Sequence, residues 1–378
     1  MHDIATNELG ILLVLAFVIF VSPYFAKITK IPIAPIEIIF GTILGYFGLI
    51  EQSATFKLVA EVGFFYLMFL AGTEIDIRAL IKTDKQVLRL ALLYISILYI
   101  VAGITGVWSN ALFLTFVVVP VMSVGVLSTL FKEYGKNEPW LNTAMIAGGI
   151  GEVISIALLT LMSAYIEFGS SAELFSSIYY LVLFIVLCVL GFKGLEILFW
   201  WYPNIKIMLM PHDDKAEKDI RLSMALFFST VAVMIYLNLE IVLGAFIAGS
   251  FIATFFNHKK DLPHKLGSFG FGFLVPIFFV YIGTTVDLGY LFMPGVLDNA
   301  IKLMIFMTIV RVAASLIFIK RFGLYDSILF GLSLSMPLTL LVAVATVAYN
   351  ASNIPKELYF AFIIASIFEV IISMILIK

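Results

Sequence analysis

The stretch Ile146-Ala-Gly-Gly-Ile-Gly-Glu-Val-Ile-Ser-Ile156 places a single carboxylate, that of Glu152, in the middle of an apolar segment that runs from about residue 139 to 168. A charged side chain at the centre of a bilayer costs about 3 kcal/mol or more, so it persists mainly where it faces a cavity, an ion or a partner. The segment is long enough to span a bilayer. The stretch therefore indicates a membrane protein with an ionisable group inside one of its spans.

The composition extends this interpretation to the whole chain. Of its 378 residues, 62% are hydrophobic and 13% are charged, whereas soluble domains are about 25% charged. Apolar runs of spanning length recur from end to end, which predicts an all-α polytopic membrane protein with one transmembrane domain over residues 1–378. The net charge of −2 indicates no nucleic-acid partner, and the single cysteine, Cys188, excludes a disulfide framework. We expect the lipid bilayer as surroundings and no cofactor.

Hydropathy predicts about thirteen transmembrane helices. Their approximate ranges are 9–26, 32–50, 55–74, 87–108, 110–131, 139–167, 173–202, 220–237, 239–256, 266–287, 299–320, 323–348 and 355–377.

The distribution of Lys and Arg predicts the orientation of these spans. Most of the basic loop residues follow odd-numbered spans, and only Lys57, Lys302 and Lys356 lie in the loops that follow even-numbered spans. Because cationic loops stay in the cytoplasm, we expect the N-terminus outside and the C-terminus in the cytoplasm. A miscounted span would have disrupted this alternation.

Two halves of the chain show a weak internal repeat. Pro120 and Pro337 are 217 residues apart, and so are Glu152 and Glu369. The offset corresponds to seven spans, an odd number, so matching helices cross the membrane in opposite directions. The pattern predicts inverted repeats over about 32–167 and 239–377, an architecture typical of secondary transporters. A proline inside a helix removes a hydrogen bond, so we predict two broken, crossing helices at these prolines; simple kinks are the alternative.

Several motifs resemble the monovalent cation:proton antiporters, the family that includes NapA-type sodium/proton antiporters and Kef-type potassium efflux proteins. The resemblance lies in Phe69-Leu-Ala-Gly-Thr-Glu-Ile-Asp76, Leu243-Gly-Ala-Phe-Ile-Ala-Gly249 and Val275-Pro-Ile-Phe-Phe-Val-Tyr-Ile-Gly283 with Asp287. It implies a fold in which core helices, about 87–167 and 299–377, carry the ion site. It also implies a homodimer in a bacterial inner membrane. Since the chain ends after the last span, we expect no C-terminal regulatory domain.

The chain departs from the family pattern at the predicted ion site. Where relatives carry an acidic pair, Asn-Asp or Gln-Asp, this sequence has Gly151-Glu152, and Gly151 supplies no side-chain ligand. Where relatives often have an Arg-Gly-Glu-like element, the sequence has Ser335-Met-Pro-Leu-Thr339. One titrating carboxylate favours one-for-one, electroneutral exchange.

Glu152 is the predicted cation and proton carrier, because one buried carboxylate can bind either a proton or a cation. Its alternative role is a structural hydrogen bond. Neutral oxygen ligands are predicted at Ser123 and Ser155, although such hydroxyls often bond to their own helix. Near the broken helices, Ser335 and Thr339 are further candidates.

Two further charged residues inside predicted spans are candidates for the site. Arg311 cannot release its proton, so it is predicted to stabilise the unwound helices or to pair with a carboxylate. Glu369 matches Glu152 through the repeat and either contacts the ion or stabilises charge.

The sequence thus predicts a secondary antiporter, not an enzyme, that exchanges Na⁺ or K⁺ for H⁺ by alternating access around Glu152. Two alternatives remain open: a sodium-coupled organic anion symporter of the same fold, and a non-transporting membrane receptor or anchor. No protease or hydrolase motif supports an intramembrane enzyme.

Overall fold

The fold is seen in a computed structural model of the chain. Described residues are 2–76, 78, 84–109, 112–127, 130, 138–169, 172–211, 216–256, 259, 261–286, 289, 295–350 and 353–377. Asp287, which was named in the family resemblance, lies outside them.

The described residues form helices and no strands, as expected for backbone that must satisfy its own hydrogen bonds in lipid. The helices of the first half are α1 (His2–Thr29), α2 (Ile33–Tyr46), α3 (Ala54–Thr73), α4 (Lys85–Ser109), α5 (Leu112–Val118), α6 (Pro139–Phe168), α7 (Ala172–Trp201) and the short α8 (Pro203–Leu209). Those of the second half are α9 (Lys218–Tyr236), α10 (Ile241–Phe255), α11 (Leu262–Phe269), α12 (Val275–Thr285), α13 (Val296–Ser315), α14 (Ile319–Phe322), α15 (Leu324–Ser333), α16 (Leu338–Asn350) and α17 (Lys356–Ile377).

Nine helical segments in the described part of the chain are long and apolar enough to cross a membrane, and the bent pair α15 and α16 would make ten. A π-helical turn, Gly270–Leu274, joins α11 to α12 within one of these segments. Two shorter apolar helices, α2 and α10, also coincide with predicted spans. The structure therefore confirms an all-helical membrane protein, while the count of thirteen spans stays a prediction.

The chain divides into two compact units. The first unit comprises Met1–Gly63, Thr83–Leu158 and Phe273–Lys378. Within it α2 packs along α12, and α17 packs against α13, α15 and α16. The contact between α2 and α12 depends on Gly41, because a Cβ atom there would overlap the carbonyl oxygen of Val280. Thr42 Oγ1 donates to the Gly283 carbonyl at 3.0 Å across the same contact. This unit contains every residue of the predicted ion site.

The second unit comprises Phe64–Lys82 and Leu159–Gly272. Its helices α9 and α10 pack against each other. Tyr66 is buried there, with its ring edge-on to Phe227 and its hydroxyl donating to the Leu266 carbonyl at 3.1 Å. This hydrogen bond satisfies a polar group that would be costly to bury alone.

Candidate functional site

Two helices of the first unit are interrupted at the two predicted prolines. α5 ends at Val118, residues 119–123 are not helical, and helix resumes over residues 124–127. α15 ends at Ser333, and α16 begins at Leu338 after a bend of 41°. Pro120 and Pro337 lie within these two interruptions, here called the first break (119–123) and the second break (334–337). Each proline lacks the N–H that would continue the helical hydrogen-bond pattern.

Glu152 lies on α6 and is completely buried. Its Oε1 accepts a hydrogen bond from Ser123 Oγ at 3.2 Å, and its Oε2 accepts one from the backbone N–H of Val124, also at 3.2 Å. Both donors are neutral and both belong to, or directly follow, the first break. The interruption of the helix therefore exposes a backbone donor and a hydroxyl to the buried carboxylate.

The two breaks meet at a pair of hydroxyl groups. Ser123 Oγ and Thr339 Oγ1 are 2.7 Å apart, and Thr339 lies in the first turn of α16. Thus Ser123 contacts both the carboxylate and the second broken helix. The carboxylate of Glu152 and these two hydroxyls form a group of oxygen atoms of the kind that hard cations prefer as ligands.

The other predicted hydroxyl ligands bond elsewhere in this structure. Ser155 Oγ accepts a hydrogen bond from the backbone N–H of Met122 at 3.3 Å, so it holds the first break against α6. Ser335 Oγ donates back to the Gly331 carbonyl at 2.9 Å, the common behaviour of serine near a helix end. The carbonyl of Ser335 accepts a hydrogen bond from Ser373 of α17 at 3.3 Å.

Gly151 has no side chain at the point where the first break contacts α6. A Cβ atom at position 151 would overlap Met122 Sδ and would lie 3.0 Å from Met122 Cγ. The position that a side chain at 151 would fill is therefore occupied by a thioether. Met122 is completely buried.

Arg311 and Glu369 form a buried ion pair that contacts the first break. Arg311 Nη1 donates to Glu369 Oε1 at 3.0 Å, and both side chains have no exposed surface. Arg311 Nη2 donates to the carbonyl oxygens of Val121 at 2.8 Å and Val119 at 3.2 Å. These carbonyls lie where the helical pattern has stopped, so the guanidinium supplies donors that the broken helix lacks. The arrangement combines the two roles predicted for Arg311.

Sequence reasoning missed the backbone groups of the site. The N–H of Val124 and the carbonyls of Val119 and Val121 carry no side-chain signal, and only the neighbouring Pro120 indicates that helical bonds are lost there. Met122 was also missed, because a methionine in an apolar run usually indicates packing. Among the described residues no three His, Cys, Asp or Glu side chains cluster as a metal site.

Comparison with known proteins identifies the family. Residues 14–378 match the family described as "Sodium/hydrogen exchanger, transmembrane". The chain is 27% identical to the putative Na⁺/H⁺ antiporter YjbQ of Bacillus subtilis, over 96% of this chain and 62% of that protein, so it spans less than two thirds of YjbQ. It is 24% identical to the probable Na⁺/H⁺ antiporter 3 of Methanocaldococcus jannaschii, over 96% of this chain and 93% of that protein.

A solved structure shares the fold. The sodium proton antiporter MjNhaP1 of Methanocaldococcus jannaschii, determined at pH 8, superposes with a TM-score of 0.67 at 18% identity, covering 100% of this chain and 96% of that chain. The match over residues 14–378, together with the shared fold, confirms the resemblance found in the sequence. The chain belongs to the sodium/hydrogen exchanger family of membrane transporters.

Proposed function

We propose that this protein exchanges a monovalent cation, Na⁺ or K⁺, for H⁺ by alternating access around Glu152. The observation that carries the proposal is a fully buried carboxylate that accepts hydrogen bonds from a hydroxyl and a backbone N–H at a broken helix. Family membership favours exchange over the two alternatives, an organic anion symporter and a non-transporting receptor.

The chemistry is a competition for one carboxylate. A proton neutralises Glu152 covalently, whereas a cation would bind the ionised form together with the hydroxyls of Ser123 and Thr339. Because both ligands need the same group, binding of one releases the other. A site that carries one proton in one direction and one monovalent cation in the other moves no net charge, so the proposed exchange is electroneutral.

The ion pair of Arg311 and Glu369 supports the same stoichiometry. Glu369 already has a cationic partner at 3.0 Å, so a transported cation would have to compete with a guanidinium that keeps its charge. In the proposed cycle Glu369 stays paired and Arg311 holds the first break through the Val119 and Val121 carbonyls. Glu152 is then the one carboxylate that changes its ligand.

The membrane setting completes the proposal. We place the protein in a bacterial inner membrane as a homodimer, with the N-terminus outside and the C-terminus in the cytoplasm. The bias of Lys and Arg toward alternate loops supports the orientation, and the family resemblance supports the homodimer and the inner membrane. The proposed direction, cytoplasmic Na⁺ or K⁺ out and external H⁺ in, is the one that an inward proton gradient drives.

The test is cation-dependent proton movement by the purified protein in liposomes. An acidic interior is set with a pH-sensitive dye inside, and Na⁺, K⁺, Li⁺ or choline is then added outside. We expect at least one alkali cation to dissipate the pH gradient while choline does not. Dissipation by none of them, from protein shown to be folded and inserted, would exclude the proposed exchange.

A further inference from the structure

The contact between Met122 and Gly151 lies next to two hydrogen bonds that the Glu152 carboxylate accepts. Met122 precedes Ser123, whose hydroxyl donates to Glu152, and Val124, whose N–H donates to the same carboxylate. On α6, Gly151 directly precedes Glu152. The thioether therefore meets α6 one residue away from the carboxylate, at the place where the first break crosses that helix.

Three hydrogen bonds that join the first break to α6 are long. The bonds from Met122 N to Ser155 Oγ, from Val124 N to Glu152 and from Ser123 Oγ to Glu152 measure 3.3, 3.2 and 3.2 Å. These lengths are at or beyond the long end of the usual range. By contrast, the Met122 side chain is fully buried, and in its observed position its sulfur would overlap a Cβ atom at Gly151.

We propose that Met122 is a positioning residue for the ion site. Its side chain packs against the Cα of Gly151 and fixes the first break, so that the Ser123 hydroxyl and the Val124 N–H donate to Glu152. The proposal rests on the function proposed above and adds to it a residue that touches neither ion nor proton. It also explains a glycine in the middle of a long helix, where glycine is among the least favourable residues.

The second half of the chain shows the opposite distribution of size. At the offset of 217 that relates Glu152 to Glu369, Met122 corresponds to Thr339 and Gly151 corresponds to Phe368. The first half has the large side chain on the break and the small residue on the long helix, whereas the second half has the smaller residue just after its break, in the first turn of α16, and the large one on the long helix. The half with Met122 on its break is the one whose carboxylate bonds to that break, whereas Glu369 bonds to Arg311.

A displaced break would change how Glu152 partitions between its ionised and protonated forms. Hydrogen-bond donors favour the ionised carboxylate, so withdrawal of Ser123 and Val124 favours the protonated acid and moves the pH profile of exchange upward. Among the described residues, the Arg311–Glu369 pair also lies at the first break, and the Tyr99 hydroxyl of α4 hydrogen-bonds Ser155. None of these groups is altered by a methyl group at position 151.

The experiment is a double-mutant cycle with Gly151→Ala, Met122→Ala and the combined variant. Gly103→Ala is the matched control, because Gly103 also lies inside a membrane-length helix of the first unit and a Cβ atom there meets nothing within 4 Å. Exchange is measured against pH and cation concentration. In parallel, mass spectrometry measures the pH dependence of Glu152 labelling by a hydrophobic carbodiimide, which reacts with protonated carboxyl groups and needs no transport.

We expect Gly151→Ala to move both pH profiles upward by about half a unit or more and to raise the apparent KM for the cation roughly threefold. Gly103→Ala should change neither. The combined variant should lie closer to the native protein than Gly151→Ala does, because alanine at position 122 makes room for the new methyl group. The same compensation is expected in the melting temperature, so the cycle remains informative if Gly151→Ala alone folds poorly.

Two results would overturn the proposal. One is a Gly151→Ala variant whose labelling profile matches that of Gly103→Ala, and the other is a combined variant whose defects are the sum of the single ones. Absence of exchange by the native protein would instead contradict the proposed function, while the labelling and melting data would still decide the role of Met122.

Discussion

The buried pair of Arg311 and Glu369 gives a quantitative prediction. Neither side chain has exposed surface, and Arg311 also donates to the carbonyls of Val119 and Val121. Removal of one partner of a buried ion pair costs about 3–5 kcal/mol because the other charge stays buried alone. Glu369→Leu should therefore lower the free energy of unfolding by about 4 kcal/mol, and Arg311→Leu by at least as much.

The double variant Arg311→Leu/Glu369→Leu should be more stable than the sum of these losses suggests. Additive effects would give about 8 kcal/mol. With both charges gone, what remains is the loss of hydrogen bonds to two carbonyls, about 3 kcal/mol in total. The assay is unfolding by sodium dodecyl sulfate in mixed micelles, followed by circular dichroism.

A matched control lies on the same helix. Lys302 and Asp298 form an exposed pair on α13, with 71% and 61% of their side-chain surface accessible. Exposed pairs contribute roughly 0.5 kcal/mol or less, so Asp298→Leu should change stability far less than Glu369→Leu does. Losses at Arg311 and Glu369 that add within about 0.5 kcal/mol would refute the reasoning, because they would show that the two charges do not depend on each other.

Three further predictions follow from the site and the topology. Ser123→Ala should raise the apparent KM for the cation about tenfold in the liposome assay, since a hydrogen bond to a charged group contributes about 1.5 kcal/mol. Thr339→Val should raise the KM less. Equal KM values for both variants and the native protein would contradict the proposed site. Electroneutral exchange should run at the same rate with and without a membrane potential set by potassium and valinomycin. If exchange moved one net charge, the potential would change its driving force by about 2.3 kcal/mol per 100 mV. A voltage-dependent rate would therefore show that a second charge moves. Cysteines placed beside Lys218 in a cysteine-free background should react with impermeant maleimide only from the cytoplasm, and those beside Lys57 only from outside; the reverse pattern would overturn the orientation.

Much of the fold could be predicted from the sequence because membrane helices obey simple rules. Apolar runs of spanning length predicted helices at positions where the structure has them. The pairing of Pro120 with Pro337 predicted where the two helices are interrupted. In each case the physical cause acts within one segment. The thickness of the bilayer sets the length of an apolar helix, and the missing N–H of proline interrupts a helix. The cost of a charge in an apolar segment likewise made Glu152 the candidate carrier, and its role in exchange stays a prediction.

The partners within the site could not be predicted in the same way. The sequence indicated that Arg311 would pair with a carboxylate, yet the choice of Glu369 depends on the packing of α13 against α17. Ser335 was expected as a ligand, but its rotamer directs the hydroxyl to Gly331. The donor at Val124 is a backbone group, and its availability depends on where the helix resumes rather than on the residue type.

Whether Glu152 carries both the proton and the cation is tested most directly by cation-driven proton movement in liposomes. Glu152→Gln is measured beside the native protein and Glu61→Gln. The amide keeps the shape of Glu152 but can neither ionise nor exchange a proton for a cation. Glu61 is a matched control because its side chain is half exposed on α3, where it pairs with Lys57. We expect Glu152→Gln to insert normally and to dissipate no pH gradient with Na⁺, K⁺ or Li⁺, while Glu61→Gln behaves like the native protein. Substantial exchange by Glu152→Gln would contradict this expectation, because another group would then carry the proton.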